Sequence, residues 1–257
     1  MNALTRPTLE GSPIGGGSNV RLTSRLVREM FGAVAPRYDL LNHLLSGGLD
    51  ITWRRVTADV LSQALSKPGS VALDVCCGTG DLTFALAKIS RGNVIGADFC
   101  QPMLVRAHSK ADAKMNARLP GHVAWIGADT LSLPFSDNFA DVITSGFGFR
   151  NLADYALGLG EMRRVLKPEG ILAILEFSRV QSPIFGPLFR FYFAQLLPRL
   201  GSWISGTAGP YQYLHDSASR FPDQEAFAAL LRESGFSAVR YRNLMGGVAA
   251  LHIAQKH

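Results

Sequence analysis

The stretch that most constrains the fold is residues 71–87, Val-Ala-Leu-Asp-Val-Cys-Cys-Gly-Thr-Gly-Asp-Leu-Thr-Phe-Ala-Leu-Ala. Its first five residues are apolar except for Asp74, as in a central parallel strand that is covered on both faces. Gly78 and Gly80 carry no Cβ, so the loop after this strand can bend sharply and approach a ligand closely. The pattern therefore predicts a nucleotide-like ligand at the carboxyl end of the strand.

The residues around this loop narrow the choice of ligand. A dinucleotide fingerprint needs a third small residue where this chain has Thr83, and no Lys-Ser or Lys-Thr pair follows to make a phosphate loop. Asp74 and Asp81 flank the loop and disfavour a pyrophosphate. They suit a cationic ligand such as the sulfonium of S-adenosylmethionine, which is the cofactor we predict.

Composition excludes some classes of protein. The chain has 257 residues, of which 47% are hydrophobic, enough for a substantial core. Its net charge of +6 comes from cationic residues spread along the chain. Such a distribution favours a solvated face over a nucleic-acid site, and an anionic membrane surface is a third option. The three cysteines, Cys76, Cys77 and Cys100, have neither disulfide nor zinc spacing, so we expect a reducing compartment and no metal.

The amino-terminal region divides into a tail and a cap. Residues 1–20 are rich in Gly, Ser, Pro and Thr and are predicted to be a flexible tail. No secretory signal and no apolar run long enough to span a bilayer is evident, so a cytoplasmic protein is expected. Residues 21–66 show helical spacing and predict a helical cap on a single domain, 21–257, with one helix over 50–65.

The rest of the chain alternates strands with helices, which predicts a doubly wound, mostly parallel α/β sheet of seven strands. The last two strands are joined by only a few residues, so an antiparallel final strand is expected, as in small-molecule methyltransferases. After the strand at 71–75, the predicted strands are 93–98, 122–126, 141–145, 171–177, 236–243 and 248–254, and the predicted helices are 103–117 and 155–166.

Residues 182–220 form an insertion rich in phenylalanine, leucine and tyrosine, interrupted by Arg190. Two interpretations stay open for it. It is either an ordinary buried helix or an apolar lid that accepts a lipid tail or touches a bilayer surface.

Acidic residues recur at the ends of the next two strands. Asp98 follows the glycine loop by about 20 residues, where a carboxylate can accept hydrogen bonds from the ribose hydroxyls. Phe99 and Met103 can pack on adenine, and Asp129 with Thr130 can meet the adenine amino group. The strand that ends at Ser145 lacks the Asn/Asp-Pro-Pro-aromatic motif of enzymes that methylate nucleobase amines, so no nucleic-acid partner is expected.

Several longer motifs point to one family. They are Tyr38-Asp-Leu-Leu-Asn42, Gly148-Phe-Arg-Asn151 and the run from Arg164 to Ser178, supported by Tyr211-Gln-Tyr-Leu214, Phe221-Pro-Asp223 and Ala250-Leu-His252. With these motifs the chain resembles the ubiquinone/menaquinone biosynthesis C-methyltransferases, a Class I family that uses S-adenosylmethionine. It departs from the family pattern at Asp50, Phe149 and Glu169.

The resemblance implies a cofactor site, a reaction and a set of partners. It places cofactor contacts on Thr79, Asp98, Asp129 and Thr130, and with the loop residues the predicted set becomes Asp74, Gly78, Thr79, Gly80, Asp98, Phe99, Met103, Asp129 and Thr130. The implied reaction is C-methylation of a polyprenylated demethylmenaquinol, which the Cys76-Cys77 loop favours. The alternatives are the 2-methoxy-6-polyprenyl-benzoquinol of ubiquinone biosynthesis, or both substrates. Implied partners are the lipid-tailed quinol, a peripheral membrane contact and a homo-oligomer.

The catalytic group is left open by the sequence. Asp39, His43, Asp50 and His252 are candidates to remove or share the hydroxyl proton of the quinol, and Arg150 would stabilise a phenolate. A satisfied core histidine is the competing interpretation of His252, and Tyr38 and Asn42 can simply fix the cap. The rival functions are a nicotinamide oxidoreductase and a non-enzymatic protein that binds membrane or nucleic acid.

Overall fold

The computed structural model describes residues 20–35, 39, 43, 46–113, 120–180 and 209–257. The predicted tail lies outside these residues except for its last position. Most of the predicted lid insertion, together with Tyr38 and Asn42, also lies outside them.

Helices and strands alternate through most of the described chain. Their order is α1 (Val20–Val34), α2 (Leu49–Leu65), β1 (Val71–Val75), α3 (Asp81–Ala87), β2 (Asn93–Asp98), α4 (Gln101–Ala113), β3 (His122–Gly127), β4 (Ala140–Gly146), a 3-10 turn (Phe149–Asn151), α5 (Tyr155–Val165), β5 (Leu166–Phe177), α6 (Gly209–Arg220), α7 (Gln224–Glu233), β6 (Phe236–Leu244), a second 3-10 turn (Met245–Gly247) and β7 (Ala249–Lys256).

The strands form one seven-stranded sheet in the order β3-β2-β1-β4-β5-β7-β6 among the described residues. β1 to β5 pair with one another in parallel, and β7 is antiparallel to both β5 and β6. The predicted fold class, with its antiparallel final strand, is therefore confirmed. Because the strand order reverses between β1 and β4, a crevice opens outside their carboxyl ends, which is where sheets of this kind bind ligands.

β5 is longer than the apolar pattern predicts. It begins at Leu166, which pairs with Ala140, instead of at Ile171. Residues 167–170, Lys-Pro-Glu-Gly, have the composition of a turn, and Glu169 does adopt a positive φ of 61°. A register shift in the β4–β5 pairing absorbs this irregularity, so the strand continues through it.

The sheet is covered on both faces. Leu73 of β1 packs with α5 and α7 on one face, and Ala72 packs with α2 and α3 on the other; both are fully buried. This two-sided burial explains why β1 is apolar without a period of two. The cap helix α1 lies against the start of α4, where Ala35 packs on Cys100 and Met103.

Candidate active site

A cleft of about 620 Å³ opens at the carboxyl ends of the parallel strands. Loops after β1, β2, β3 and β4 all contribute to it, and α1 forms a further wall. Its lining is Ser24, Val27, Phe31, Cys76, Gly78, Asp98, Phe99, Cys100, Met103, Asp129, Thr130, Leu131, Phe147, Gly148, Asn151, Leu152 and Ala153.

Two glycines of the loop after β1 adopt a positive φ, and one of them also lies too close to a ring to carry a side chain. Gly80 has a φ of 85°, and a Cβ on it would lie 2.3 Å from the Trp125 ring. Gly78 has a φ of 56° and lines the cleft with its backbone. Cys76, which also lines the cleft, adopts a positive φ of 52° although it has a side chain. Backbone strain of this kind concentrates at ligand sites, because surrounding contacts must enforce it.

Asp98 ties the first two strand ends together. Its Oδ2 accepts a hydrogen bond from the Gly78 amide at 2.8 Å, and its Oδ1 accepts one from the Cys100 amide at 2.8 Å. Burial raises the pKa of Asp98 to about 6, although these two amides favour the charged form. The carboxylate is therefore ionised at neutral pH, and each of its oxygens keeps a lone pair for a ligand.

The lining fits the nucleoside of S-adenosylmethionine. Asp98 offers two further acceptor positions for two ribose hydroxyls, and Phe99, Met103 and Leu131 give apolar surface for a base. Asp129 uses Oδ1 to accept from the Leu131 amide at 3.0 Å. Its other oxygen has no bond to the described residues and can accept from an amino group. Carboxylates that accept hydrogen bonds, together with apolar surface, suit the hydroxyl and amino donors and the flat base of an adenosine.

Asp74, the acid of β1, and the two cysteines that follow this strand have raised pKa values. Asp74 is fully buried and accepts hydrogen bonds from Thr83 at 2.6 Å and from Thr144 at 2.7 Å. Burial raises the pKa of Asp74 to about 6. Burial likewise raises the pKa of the Cys76 and Cys77 thiols, which are free, as is Cys100. Asp74 supports the loop from beneath and is not part of the cleft lining.

Thr79 points into a charged cluster beside the cleft. Its hydroxyl donates to Asp39 and accepts from Lys110 Nζ at 3.1 Å. Lys110 also binds the carboxylates of Asp39 at 3.0 Å and Asp81 at 2.6 Å. His43 continues the cluster, with its Nε2 4.0 Å from Asp81. None of these five side chains belongs to the cleft lining.

The other side of His43 contacts a buried acid. His43 Nδ1 lies 2.9 Å from Asp50, which also binds Ser46 at 2.6 Å and Arg54. Burial opposes ionisation of Asp50, but the hydrogen bond from Ser46 and the Arg54 charge outweigh it and lower its pKa. The structure thus brings the candidates Asp39, His43 and Asp50 into one neighbourhood that borders the glycine loop.

Comparison with known proteins identifies the family. The model of the ubiE/COQ5 methyltransferase family matches residues 19–256. The chain belongs to this family. The predicted family and the predicted methyl transfer from S-adenosylmethionine are therefore confirmed.

Three relatives illustrate the match to this methyltransferase. A demethylmenaquinone methyltransferase of Thermus thermophilus is 47% identical over 88% of this chain and 100% of its own length. A demethylmenaquinone methyltransferase of Deinococcus radiodurans is 42% identical over the full length of both chains. A ubiquinone/menaquinone biosynthesis C-methyltransferase of Cereibacter sphaeroides is 39% identical over 90% of each chain.

Solved structures share the fold of the methyltransferase at lower identity. A SAM-dependent methyltransferase from Aquifex aeolicus superposes with a TM-score of 0.56 at 21% identity, over 78% of this chain and 89% of the other. A putative methyltransferase from Methanococcus maripaludis gives a TM-score of 0.56 at 19% identity, over 93% of both chains.

Arg150 of the methyltransferase is held behind the cleft. It is only 4% exposed, and its Nη1 donates to Glu176 Oε1 at 2.8 Å and to the carbonyl of Phe147. Its backbone amide donates to the second oxygen of Glu176 at 3.1 Å. The guanidinium therefore fixes the cleft wall through Phe147, and the structure does not place it among the lining residues.

His252 lies in the core of the methyltransferase, outside the cleft lining. It is 2% exposed on β7, where Phe227 packs edge-on against its ring at 4.9 Å. Its Nε2 is 2.9 Å from the carbonyl of Gln224, and burial lowers the pKa of His252 to about 4. It is neutral at pH 7 and lies in the core, as the competing interpretation predicts, but it is not fully satisfied, because its buried Nδ1 has no hydrogen-bond partner among the described residues.

Sequence reasoning missed several residues in and around the cleft. Glu176 is a buried partner of Arg150, and Lys110 joins the loop to Asp39. Asn151 lines the cleft and accepts a hydrogen bond from Tyr213 at 2.8 Å. Asn151 and Tyr213 both stand in motifs quoted above, but nothing in the sequence shows that these two motifs meet.

Along the described part of the chain, no helix combines the length and the apolar character that crossing a bilayer requires. Over the same residues, no three side chains of His, Cys, Asp or Glu come together in a way that could hold a metal ion.

Proposed function

We propose that this methyltransferase methylates a ring carbon of a polyprenylated demethylmenaquinol, giving menaquinol and S-adenosylhomocysteine. The observation that carries the proposal is the combination, in one cleft, of the Asp98 carboxylate, which suits a nucleoside, with an apolar wall. That wall is made by Phe31, Phe147, Leu152 and Ala153. The Thermus and Deinococcus relatives, which match over nearly the whole chain, carry the name of this activity.

The cofactor would be held by the residues that fit its parts. Asp98 would accept from the ribose hydroxyls, Phe99 and Met103 would pack on adenine, and Asp129 would accept from the adenine amino group. Gly78 leaves room for close approach of the loop. When bound, S-adenosylmethionine supplies an electrophilic methyl group on a sulfonium.

The apolar wall would orient the acceptor and exclude water from it. A quinol ring carbon becomes nucleophilic when the neighbouring hydroxyl loses its proton. Holding that carbon in line with the methyl donor contributes most of the rate acceleration in transfers of this type. Arg150 assists by fixing Phe147. Asp39, His43 and Asp50 border the loop and stay our candidates for the proton acceptor.

The name of one relative supports a second methyl-accepting substrate. The Cereibacter relative is named for both ubiquinone and menaquinone biosynthesis. We therefore include the 2-methoxy-6-polyprenyl-benzoquinol as an alternative substrate of the same cleft, methylated by the same chemistry.

Methyl transfer from radiolabelled S-adenosylmethionine tests the proposal. The purified protein is given short-tailed demethylmenaquinol, the benzoquinol, or buffer, and the extracted quinol is counted. We expect label in demethylmenaquinol; label in both quinols would establish the dual activity. A variant with Asp98→Asn should lose most of the transfer, whereas Asp59→Asn, at an exposed position outside this cleft, should not. If the protein binds S-adenosylhomocysteine but neither quinol becomes labelled, the proposal is overturned.

The lipid tail of the substrate implies contact with a membrane. We propose a peripheral association with the inner face of the cytoplasmic membrane, supported by the net charge of +6. Flotation with vesicles of phosphatidylglycerol and of phosphatidylcholine measures it, and no enrichment with either would contradict it. A homo-oligomer stays a prediction, which light scattering can check.

A further inference from the structure

Helix α6 contacts the turn after β4 through two side chains that lie one helical turn apart. Tyr213 donates its hydroxyl to Asn151 Oδ1 at 2.8 Å. Ser217, four residues later, accepts from Arg150 Nε at 3.3 Å. Side chains at this spacing share one face of a helix, so α6 holds two consecutive residues of the turn at once.

Asn151 is the member of this group that faces the cleft. A side-chain amide accepts only through its oxygen and donates only through its nitrogen. Because Tyr213 donates to the oxygen, the amide nitrogen points away from Tyr213. No acceptor among the described residues meets Asn151 Nδ2, although Asn151 lines the cleft. The nitrogen is therefore available to a ligand.

Both ends of the contact are rigid. Tyr213 is 9% exposed, and its ring meets Phe31 of α1 edge-on at a centroid distance of 6.4 Å. The backbone amide of Asn151 donates to the carbonyl of Gly148 at 3.0 Å, which closes the 3-10 turn. With the ring and the turn both fixed, the hydrogen bond decides the direction of the amide.

The remaining polar lining gives this amide a particular use. Asp98 and Asp129 are acidic and repel an acceptor that is becoming a phenolate. Arg150 could attract it but is buried behind the wall and paired with Glu176. A neutral amide N–H at the cleft can donate to the developing charge and brings no net charge of its own. Such preorganised donors act in the transition state because they need no reorientation.

We propose that Tyr213 is a positioning residue for methyl transfer: it fixes the Asn151 amide with its nitrogen towards the cleft, where that nitrogen donates a hydrogen bond to the quinol oxygen. This inference rests on the proposed function for the identity of the acceptor. The placement of the amide rests on the contacts alone.

A double-mutant cycle tests the coupling. Tyr213→Phe keeps the ring and its contact with Phe31 but removes the hydroxyl, so kcat should fall about tenfold, the effect of freeing one oriented hydrogen bond. Asn151→Ala should lower kcat by about 10²-fold, as loss of a donor to developing charge does. In the Asn151→Ala background, Tyr213→Phe should add nothing. Affinity for S-adenosylhomocysteine should be unchanged in all three variants.

A matched control and two outcomes complete the kinetic test. Tyr241→Phe removes a hydroxyl from β6, where the ring packs on His252 and does not line the cleft, and should leave kcat unchanged. Full activity of Tyr213→Phe would overturn the inference. So would losses that multiply in the double variant, since Tyr213 would then act independently of Asn151.

A spectroscopic readout separates this inference from the proposed function. The side-chain amide signal of Asn151, assigned in a ¹⁵N-labelled protein, should be a single sharp pair and should shift and broaden in Tyr213→Phe. If the unmodified protein methylates neither quinol, the proposed function fails, and this signal still decides the positioning. An Asn151 signal that does not respond to Tyr213→Phe would overturn the positioning itself.

Discussion

Replacing Asp98 by asparagine should weaken ligand binding while hardly changing stability. Burial raises the pKa of Asp98 from 3.8 to about 6. Each pKa unit corresponds to about 1.4 kcal/mol, so the ionised carboxylate costs the folded protein about 3 kcal/mol at neutral pH. Between pH 4 and pH 6 the folded protein binds the proton more tightly than the unfolded chain does, so this cost grows as the pH rises through that window.

The asparagine removes that cost and introduces another. Its single oxygen can accept from either Gly78 or Cys100, so one backbone amide loses its acceptor, at about 1–3 kcal/mol. The two changes nearly cancel, and the free energy of unfolding at pH 7 should stay within about 2 kcal/mol of the unmodified value. For S-adenosylhomocysteine binding, no second change offsets the loss of the charged acceptor. A hydrogen bond to a charged group contributes about 1.5–3 kcal/mol, so Kd for S-adenosylhomocysteine should rise by about 10- to 100-fold.

Calorimetric titration with S-adenosylhomocysteine from pH 5 to pH 8 is the assay, with urea unfolding alongside. Affinity of the unmodified protein should fall as the pH drops below about 6, because ribose hydroxyls donate to the ionised carboxylate. Asp74 also has a raised pKa, to which the Asp98 charge contributes, so the difference between the two pH profiles reports Asp98 together with its effect on Asp74. The reasoning is refuted if the asparagine variant keeps full affinity, or if its profile is as steep as that of the unmodified protein.

Three further substitutions probe the rest of the site. Gly148→Ala would place a Cβ 2.4 Å from the Cys76 Cβ, so unfolding free energy should drop by about 1–3 kcal/mol and S-adenosylhomocysteine affinity should fall in the same titration. Glu176→Ala removes the carboxylate that neutralises the buried Arg150 charge and should cost about 3–5 kcal/mol in urea unfolding; an unchanged midpoint would mean that the remaining contacts or water compensate for this carboxylate. His252→Leu removes the hydrogen bond between His252 Nε2 and the Gln224 carbonyl and should cost about 0.5–1.5 kcal/mol in urea unfolding while kcat is preserved, so a large loss of kcat would return His252 to the catalytic candidates.

The sequence predicted the sheet well because its signals are local. Buried strands such as β1 show as apolar runs. Asp98 ends β2 and Asp129 follows β3 by two residues, and the order of these strands in the fold can be anticipated. The carboxyl ends of parallel strands meet at one edge, so these two residues share a cleft as expected. The start of β5 was predicted wrongly at Ile171, because a proline–glycine pair indicates a turn and only the pairing of Leu166 with Ala140 shows otherwise.

Contacts between distant segments could not be predicted. Asn151 and Tyr213 are 62 residues apart, and Thr79 meets Asp39 across 40 residues. Neither contact leaves a periodic trace in the sequence. His252 was a catalytic candidate because of its side-chain chemistry, whereas its burial against Phe227 depends on where α7 packs over β7.

The position of β7 also governs the order in which the sheet can be assembled during synthesis. β7 lies between β5 and β6, although it follows both in the chain. β6 therefore has no partner in the sheet until β7 has been made, and the exposed edge of β5 stays open for the same interval. A chain cut after Val248 would lose two strands from the sheet, not one. It would also expose the β5 edge next to Glu176, and an unpaired strand edge can pair with other chains.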